Sequence, residues 1–340
     1  MTPTAPTTPL VTAVVPAYDS DRTLRATLES LTAQTYPHLE ILVIDDGSRH
    51  LPARDIPEDP RIIVDHQTTN RGYSWVTNHA IGRARGEWIT FVDADDTVTP
   101  TYVERHLQAG LRHDADLVLS PLMAVREGRH IGSLRFRAPG PVADARTAFR
   151  AIAAGDVVGS QHVMFRRPRQ ESPANLIHSD FVLILRHIAR SRAVAFVDEP
   201  LYHYVIHAGS QTGRLRPGVW ELTDLPTVLA PTVTDLFARD EATEVQAQLE
   251  HHMLTQVLHK AAREREDTVL RRRLRRWCRS RLTADGITAA LRRRDWTTAA
   301  SWALARTSPT LHGHAYRAYD ALKDRRATPG APDRALAEAR

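Results

Sequence analysis

The chain has 340 residues, 42% of them hydrophobic and 25% charged, and a formal net charge of +5. This is the make-up of an ordinary globular protein with room for one large domain or two of usual size, and it excludes a fibrous or low-complexity chain. The single cysteine, Cys278, excludes an intrachain disulfide and a cysteine-built zinc site, which fits a reducing cytoplasm.

In chain order, residues 1–9 open as M-T-P-T-A-P-T-T-P, with neither the basic start nor the apolar core of a signal peptide, and are expected to form a disordered arm. Residues 11–15 are β-branched, close at Pro16 and predict a first buried strand. Ser20 and Asp21 suit a helix start, and Leu24, Leu28 and Leu31 recur at helical spacing, so a helix runs over 24–34 and stops at Tyr36-Pro37. A second strand, 39–44, ends in Asp45, Asp46, Gly47 and Ser48. A proline-rich loop (51–60) and a third strand (61–65) follow. Asn70, Arg71 and Gly72 make a turn, and the helix at 76–85 is ended by Gly86.

The stretch 87–96, E-W-I-T-F-V-D-A-D-D, organises the chain. Its first half is a buried strand, and three carboxylates, Asp93, Asp95 and Asp96, crowd the exit. Like charges this close are relieved by a cation, and hard oxygen ligands suit Mg²⁺ or Mn²⁺. The plainer alternative is an acidic turn that caps the helix starting near Pro100.

Beyond it the pattern predicts a helix at 101–109, a strand at 115–119 and a strand pair within 121–140 that turns at Glu127-Gly128. A helix at 147–154, an extended or mixed stretch at 157–166, a helix at 179–190 and a strand at 193–197 follow. The segment 202–212, rich in polar side chains, reads as a loop. Amphipathic helices cover 221–323, and the tail beyond 326 is expected to fray. No apolar run is long enough to span a bilayer.

Strands that alternate with helices and are this apolar need cover on both faces, which is a parallel, doubly wound sheet with its ligand beyond the carboxyl ends of the strands. Asp45-Asp46 and Asp93-Asp95 can then share one crevice. Residues 16–22 hold no glycine, so the G-x-G-x-x-G dinucleotide loop is excluded, and no P-loop is present.

Arg271, Arg272, Arg273, Arg275, Arg276, Arg279 and Arg281 form a basic run. Leu270, Leu274, Trp277 and Leu282 fall near one face of the same helix. The pattern fits an interfacial helix on an anionic membrane and equally a packed helix with a solvated basic rim. Nucleic acid is disfavoured as a partner, because aromatics other than Trp277 are not interleaved with the arginines and no known motif is present.

Taken together, V-V-P-A-Y, L-x-S-L-x-x-Q-T-Y-P at 28–37, I-D-D-G-S at 44–48, N-x-G at 70–72, N-x-x-I at 78–81, A-R-G-E-W-I at 84–89 and D-A-D-D resemble, in this order and spacing, a family 2 glycosyltransferase. The resemblance covers 10–110 tightly and 110–215 loosely. It implies a GT-A fold, a Rossmann-like, mostly parallel sheet sandwiched by helices, and an inverting transfer from a nucleoside-diphosphate sugar, with a UDP-sugar the leading donor, to a glycan, lipid-linked or small-molecule hydroxyl. It implies a divalent cation, Mn²⁺ or Mg²⁺, held by Asp95 with Asp93. It places Pro16, Ala17, Tyr18, Asp45, Asp46, Asn78, Asp93 and Ala94 against the nucleotide sugar and makes Asp180 the base. His207 is a further candidate metal ligand and His203 a weaker one.

The chain departs from the family at Ser179, where a glutamate is usual, and at Thr77, where an arginine is; Arg71 or Arg83 would supply the missing charge, and His178 is a rival base. The implied map is a GT-A domain at 10–215, with a nucleotide-sugar half at 10–110 and an acceptor half at 111–215. A helical region (216–326) and a flexible tail (327–340) complete it. The expected setting is cytoplasmic, in bacterial surface-glycan, wall-polymer or natural-product glycosylation. A fold-only scaffold and a sugar-phosphate nucleotidyltransferase are the competing readings.

Overall fold

A computed structural model describes residues 8–49, 56–134, 136–157, 163–167, 172, 173, 176, 178–207, 215–266, 268–325, 328 and 329. Most of the expected arm and tail therefore lies outside the described residues, as does 208–212. The chain divides into two compact units, one running up to Val205 and one from Ile206 to Thr328.

The first unit runs β1 (Val11–Ala17), α1 (Leu24–Thr32), β2 (Leu39–Asp45), β3 (Ile62–His66), α2 (Tyr73–Arg83), β4 (Trp88–Phe91), β5 (Thr97–Val98) and α3 (Tyr102–Arg112). It continues through β6 (Leu117–Leu119), β7 (Leu122–Arg126), β8 (Arg129–Ser133), β9 (Val142–Ala143), α4 (Ala145–Ala153), β10 (Val163–Arg166), α5 (Ser179–Ile188), β11 (Val194–Phe196) and β12 (Tyr202–Ile206). Eight strands form the main sheet, in the order β3-β2-β1-β4-β10-β6-β11-β9. β3, β2, β1 and β4 are mutually parallel, with Val14 level with both Leu42 and Phe91.

The sheet is not wholly parallel. β10 runs against β4 and β6, and β9 against β11. Val163, Met164 and Phe165 are buried on both faces, and a run apolar on both faces fixes burial but not direction. A smaller sheet carries β8, β7, β12 and β5 as neighbours. β12 corrects the loop expected from 202. Its polar alternate residues suggest a loop, yet Tyr202 is buried and pairs with Val98.

The main sheet packs differently on its two faces. On one, Val11, Ala13, Val15, Ile41, Val43 and Trp88 meet Leu24, Leu28 and Leu31 of α1 and Val103 and Leu107 of α3. Here Gly110 is required: a Cβ there would lie 2.5 Å from the Trp88 ring. Thr90 and Tyr102 join their hydroxyls at 2.7 Å on the same side. On the other face Phe91 meets Phe165 edge-on, and Phe165 meets His187 of α5. Strand alternation puts Asp93 in phase with Phe91, on the α2 and α5 side.

The second unit is helical: a 3-10 turn at Pro217–Trp220, then α6 (Glu221–Leu236), α7 (Arg239–Arg263), α8 (Val269–Arg281), α9 (Ala284–Arg292), α10 (Trp296–Thr307) and α11 (Pro309–Arg325). α7 supplies its spine, Val245, Leu249, Met253, Val257 and Ala261, all buried. Trp302 is buried too, its indole N–H donating to Thr255 at 3.0 Å.

α8 carries the basic run. Leu274, Cys278 and Leu282 are buried, and Trp277 lies edge-on to Trp220 with Arg281 over its ring. Two residues of the apolar stripe, Leu274 and Leu282, are thus buried within this unit, while Leu270 and Trp277 are half-buried. Arg272, Arg273, Arg276 and Arg279 are exposed, whereas Arg271 is buried and donates to the Ala261 and Glu266 carbonyls near the end of α7. Among the described residues no helix is long and apolar enough to cross a membrane.

Candidate active site

The carboxylates after β4 sit in a turn closed by the Asp96 N–H, which donates to the Asp93 carbonyl at 3.0 Å. Thr27 of α1 fixes the turn from below, donating to the Asp96 carbonyl at 2.7 Å. Tyr202 of β12 fixes it from the side. Its hydroxyl accepts from the Asp93 N–H at 3.1 Å and donates to Asp96 Oδ2 at 2.7 Å. The Val205 N–H donates to Asp96 Oδ1 at 2.7 Å. Both Asp96 oxygens are thus engaged, and this buried residue braces the turn that presents Asp93 and Asp95. Ala94 is buried between them.

One oxygen from each of Asp93, Asp95 and Asp96 lies within 4.8 Å of the others. Burial, and then the crowding of Asp96, Asp95 and Asp180, push the Asp93 carboxyl well above the usual carboxylate range. Burial and Asp95 do the same to Asp96, against the pull of the Val205 N–H and the Tyr202 hydroxyl. An all-oxygen cluster this unfavourable as bare anions has the chemistry to hold a hard divalent cation, and Asp93 and Asp95 are its candidate ligands. His207, exposed at the end of β12, is not part of this group. The His203 ring lies 5.3 Å from that of His130.

Asp180 stands in the first turn of α5. Burial pushes its carboxyl up to about 6, opposed by main-chain N–H groups at the helix start. It lines a narrow recess with Tyr73 and Thr77 of α2, Phe91, Val163, Phe165, Leu183 and Ile184. Its charge is among those that disfavour an ionised Asp93, so the candidate base and the candidate metal ligands address one space. His178 is the residue before α5 and makes no side-chain cap. Ser179 is fully buried, and its Oγ has no hydrogen-bond partner among the described residues.

The other acidic pair is bound up in the scaffold. Asp46 accepts from the Arg71 and Gly72 N–H groups, each at 2.8 Å, and so clamps the turn that starts α2. Its own N–H donates to the Ala17 carbonyl at 2.9 Å. Asp45 is paired with His66 and accepts the Ser48 N–H at 3.1 Å. The Ser48 hydroxyl in turn accepts the Asp19 N–H at 2.8 Å. Pro16 and Ala17 lie level with Ile44 and Asp45 at the ends of β1 and β2, and Tyr18, half-exposed, stands at the rim.

Of the two arginines that could replace the family's missing one, Arg83 is paired with Asp65 at 3.2 Å. Arg71, at the other end of α2, lies 4.5 Å over the Trp75 ring. Asn78 uses its amide on the main chain of Ser172. The bracing role of Asp96 and the parts played by Tyr202 and Ser172 were not read from the sequence. Their partners lie far off in the chain, and only the acidic run hinted at the first.

Residues 12–171 match the protein-family model described as Glycosyl transferase family 2. Among curated proteins, EpsH of Bacillus subtilis (strain 168), a glycosyltransferase by name, is 31% identical over 240 residues, 63% of this chain and 66% of EpsH. ExoO of Rhizobium meliloti (strain 1021), a succinoglycan biosynthesis protein, is 38% identical over 127 residues, 36% of each chain. This chain thus spans just under two thirds of EpsH and about a third of ExoO. Among solved structures, residues 1–349 of S. aureus TarS in complex with UDP-GlcNAc align over 90% of both chains, with a TM-score of 0.62 and 17% identity, a likeness of fold.

Proposed function

From the match of residues 12–171 to the glycosyl transferase family 2 model and the likeness of fold to TarS, we propose that the chain is a member of that family with the GT-A fold and an inverting, cation-dependent glycosyltransferase. It moves a sugar from a UDP-sugar to a hydroxyl acceptor in the assembly of a bacterial polysaccharide or wall polymer. The observation that carries the reading is the meeting of two acidic elements, the cluster after β4 and Asp180 at the start of α5, on one side of the sheet.

Asp93 and Asp95 hold the cation, whose part is to neutralise the diphosphate of the leaving nucleotide. Asp96 keeps both in place. Asp180 accepts the proton of the acceptor hydroxyl as that oxygen attacks the anomeric carbon from the face opposite the nucleotide. A carboxyl raised to about 6 by burial is a better proton acceptor than an ordinary one and is still ionised at neutral pH. One base and a single in-line displacement invert the anomeric centre without a covalent intermediate. The ends of β1 and β2, with Pro16, Ala17, Tyr18 and Asp45, wall the nucleotide side. The name of TarS's bound ligand and the glycan named for ExoO support the donor and the setting.

The test is a panel of UDP-, GDP- and dTDP-sugars with and without Mn²⁺, read by thermal shift and by nucleotide release. Stabilisation by a UDP-sugar that needs Mn²⁺, with slow release of UDP, supports the reading. Binding without release from any donor would return the chain to a scaffold role.

A further inference from the structure

Asn78 lies in the middle of α2, on the flank that faces the chain entering α5. Its side-chain amide closes a two-bond pair with the main chain of Ser172. Nδ2 donates to the Ser172 carbonyl at 3.0 Å, and the Ser172 N–H donates to Oδ1 at 2.7 Å. One turn earlier on the same flank, the Ser74 hydroxyl donates to the Leu176 carbonyl at 3.2 Å. Tyr73 and Thr77, which share this side of the helix, wall the recess that contains Asp180.

A single helix therefore grips the chain at 172 and 176 and forms the wall opposite position 180. Between β10 and α5 no helix or strand is described. Of the residues described there, Ser172 and Leu176 have main-chain groups satisfied by side chains of α2, and such bonds fix where a chain runs. The far end of α5 is held by Leu185 and Ile188, both buried. Its first turn, where Asp180 stands, is seated by the buried Ser179 and Val182 and is entered from Leu176, whose carbonyl Ser74 holds. A base must sit within hydrogen-bond reach of its proton, and a misplacement of about 1 Å costs ~10²-fold in rate.

We infer that Asn78 is a positioning residue for Asp180: its amide fixes the chain leading into α5 and thereby the place of the carboxylate. This moves Asn78 from the nucleotide-sugar contact expected of it to a role on the acceptor side. The inference rests on Asp180 being the base, as proposed above. α2 begins at the turn clamped by Asp46 and ends its grip at Ser172, so one helix relates the donor crevice to the base.

The experiment compares wild type, Asn78→Ala, Asp180→Asn and the double variant. It uses Mn²⁺ and whichever donor of the UDP-, GDP- and dTDP-sugar panel gives the wild type its fastest nucleotide release. Three quantities are read: turnover, donor Kd by calorimetry, and melting temperature. Asn78→Ala is expected to lower turnover by about 10- to 100-fold with donor Kd within about twofold. The double variant should be no slower than Asp180→Asn alone, because a residue that acts through the carboxylate has nothing further to lose once it is gone.

Multiplying losses in the double variant overturn the inference while leaving Asp180 as the base. A fall in donor affinity that matches the fall in turnover overturns it too and returns Asn78 to the donor site. Wild-type turnover in Asp180→Asn removes the base assignment first and the inference with it. If Asn78→Ala does not fold, Ser74→Ala replaces it in the cycle with a smaller expected loss, and amide exchange at Ser172 reports the grip directly.

Discussion

Tyr202 and Asp96, 106 residues apart in the chain, meet at 2.7 Å, the phenol hydroxyl donating to Oδ2. The same hydroxyl accepts the Asp93 N–H, so one side chain of β12 holds both ends of the acidic turn. Tyr202→Phe leaves a buried carboxylate oxygen without its donor and a main-chain N–H without its acceptor. A loss of about 1–3 kcal/mol of stability is expected from such orphaned groups, measured by urea denaturation. Mn²⁺ affinity, measured by calorimetry, should fall as well, since the turn that presents Asp93 and Asp95 loosens. A variant as stable as wild type would remove Tyr202 from this role.

Asp95→Asn should separate stability from activity. Replacing one of three crowded carboxylates relieves repulsion in the cation-free protein, so its melting temperature is expected to hold or rise. Mn²⁺-dependent nucleotide release should disappear, together with the thermal shift Mn²⁺ gives the wild type. Near-normal activity in Mn²⁺ would sink the ligand assignment.

Asp180 predicts a pH profile. Its carboxyl is raised by burial to about 6, and the ionised form is the base, so turnover is expected to climb with pH and level off above about 6. Stability runs the other way. The folded chain keeps a proton that the unfolded chain releases near 3.8, so the stabilisation is full below that pH and is lost as pH rises through about 6. Asp180→Asn should therefore melt higher than wild type at pH 8, with turnover lower by ~10²–10⁴-fold. A profile flat from pH 5 to 8 contradicts the assignment, and an unchanged rate in the variant shifts it to His178.

The arginines of α8 should divide by burial. Arg271, buried, donates to two main-chain carbonyls, and Arg271→Gln is expected to cost about 1.5–3 kcal/mol, the range for charge-assisted bonds. Arg273→Gln and Arg276→Gln, at exposed positions, should each change stability by less than about 0.5 kcal/mol. Thermal and urea midpoints of the three variants check this. Equal losses across them would mean that the exposed face of α8 is itself a packing surface.

Much of the first unit was legible because its signals are local. The β-branched run of β1, the leucine spacing of α1 and the acid at the exits of β2 and β4 each lie within about ten residues. What stayed hidden depends on distant partners. The three aspartates after β4 look alike in the sequence, and only Tyr202 and Val205 distinguish Asp96 as the brace. Asp46 reads as an open acid beside a glycine, yet both its oxygens are bound to main-chain N–H groups of a turn some 25 residues on. β10 has the composition of a buried strand and no mark of its direction. On α8, packed and membrane-bound helices share one pattern, and the difference lay in whether the chain's own helices cover Leu274 and Cys278.

The pairing of Asn78 with Ser172 reads main chain and not side chain. Every residue except proline offers the same N–H and carbonyl, but Ser172 is buried, so only a small side chain stands there without displacing its neighbours. The grip of α2 on position 172 is therefore written in backbone and size, and one small residue can replace another there without touching either bond.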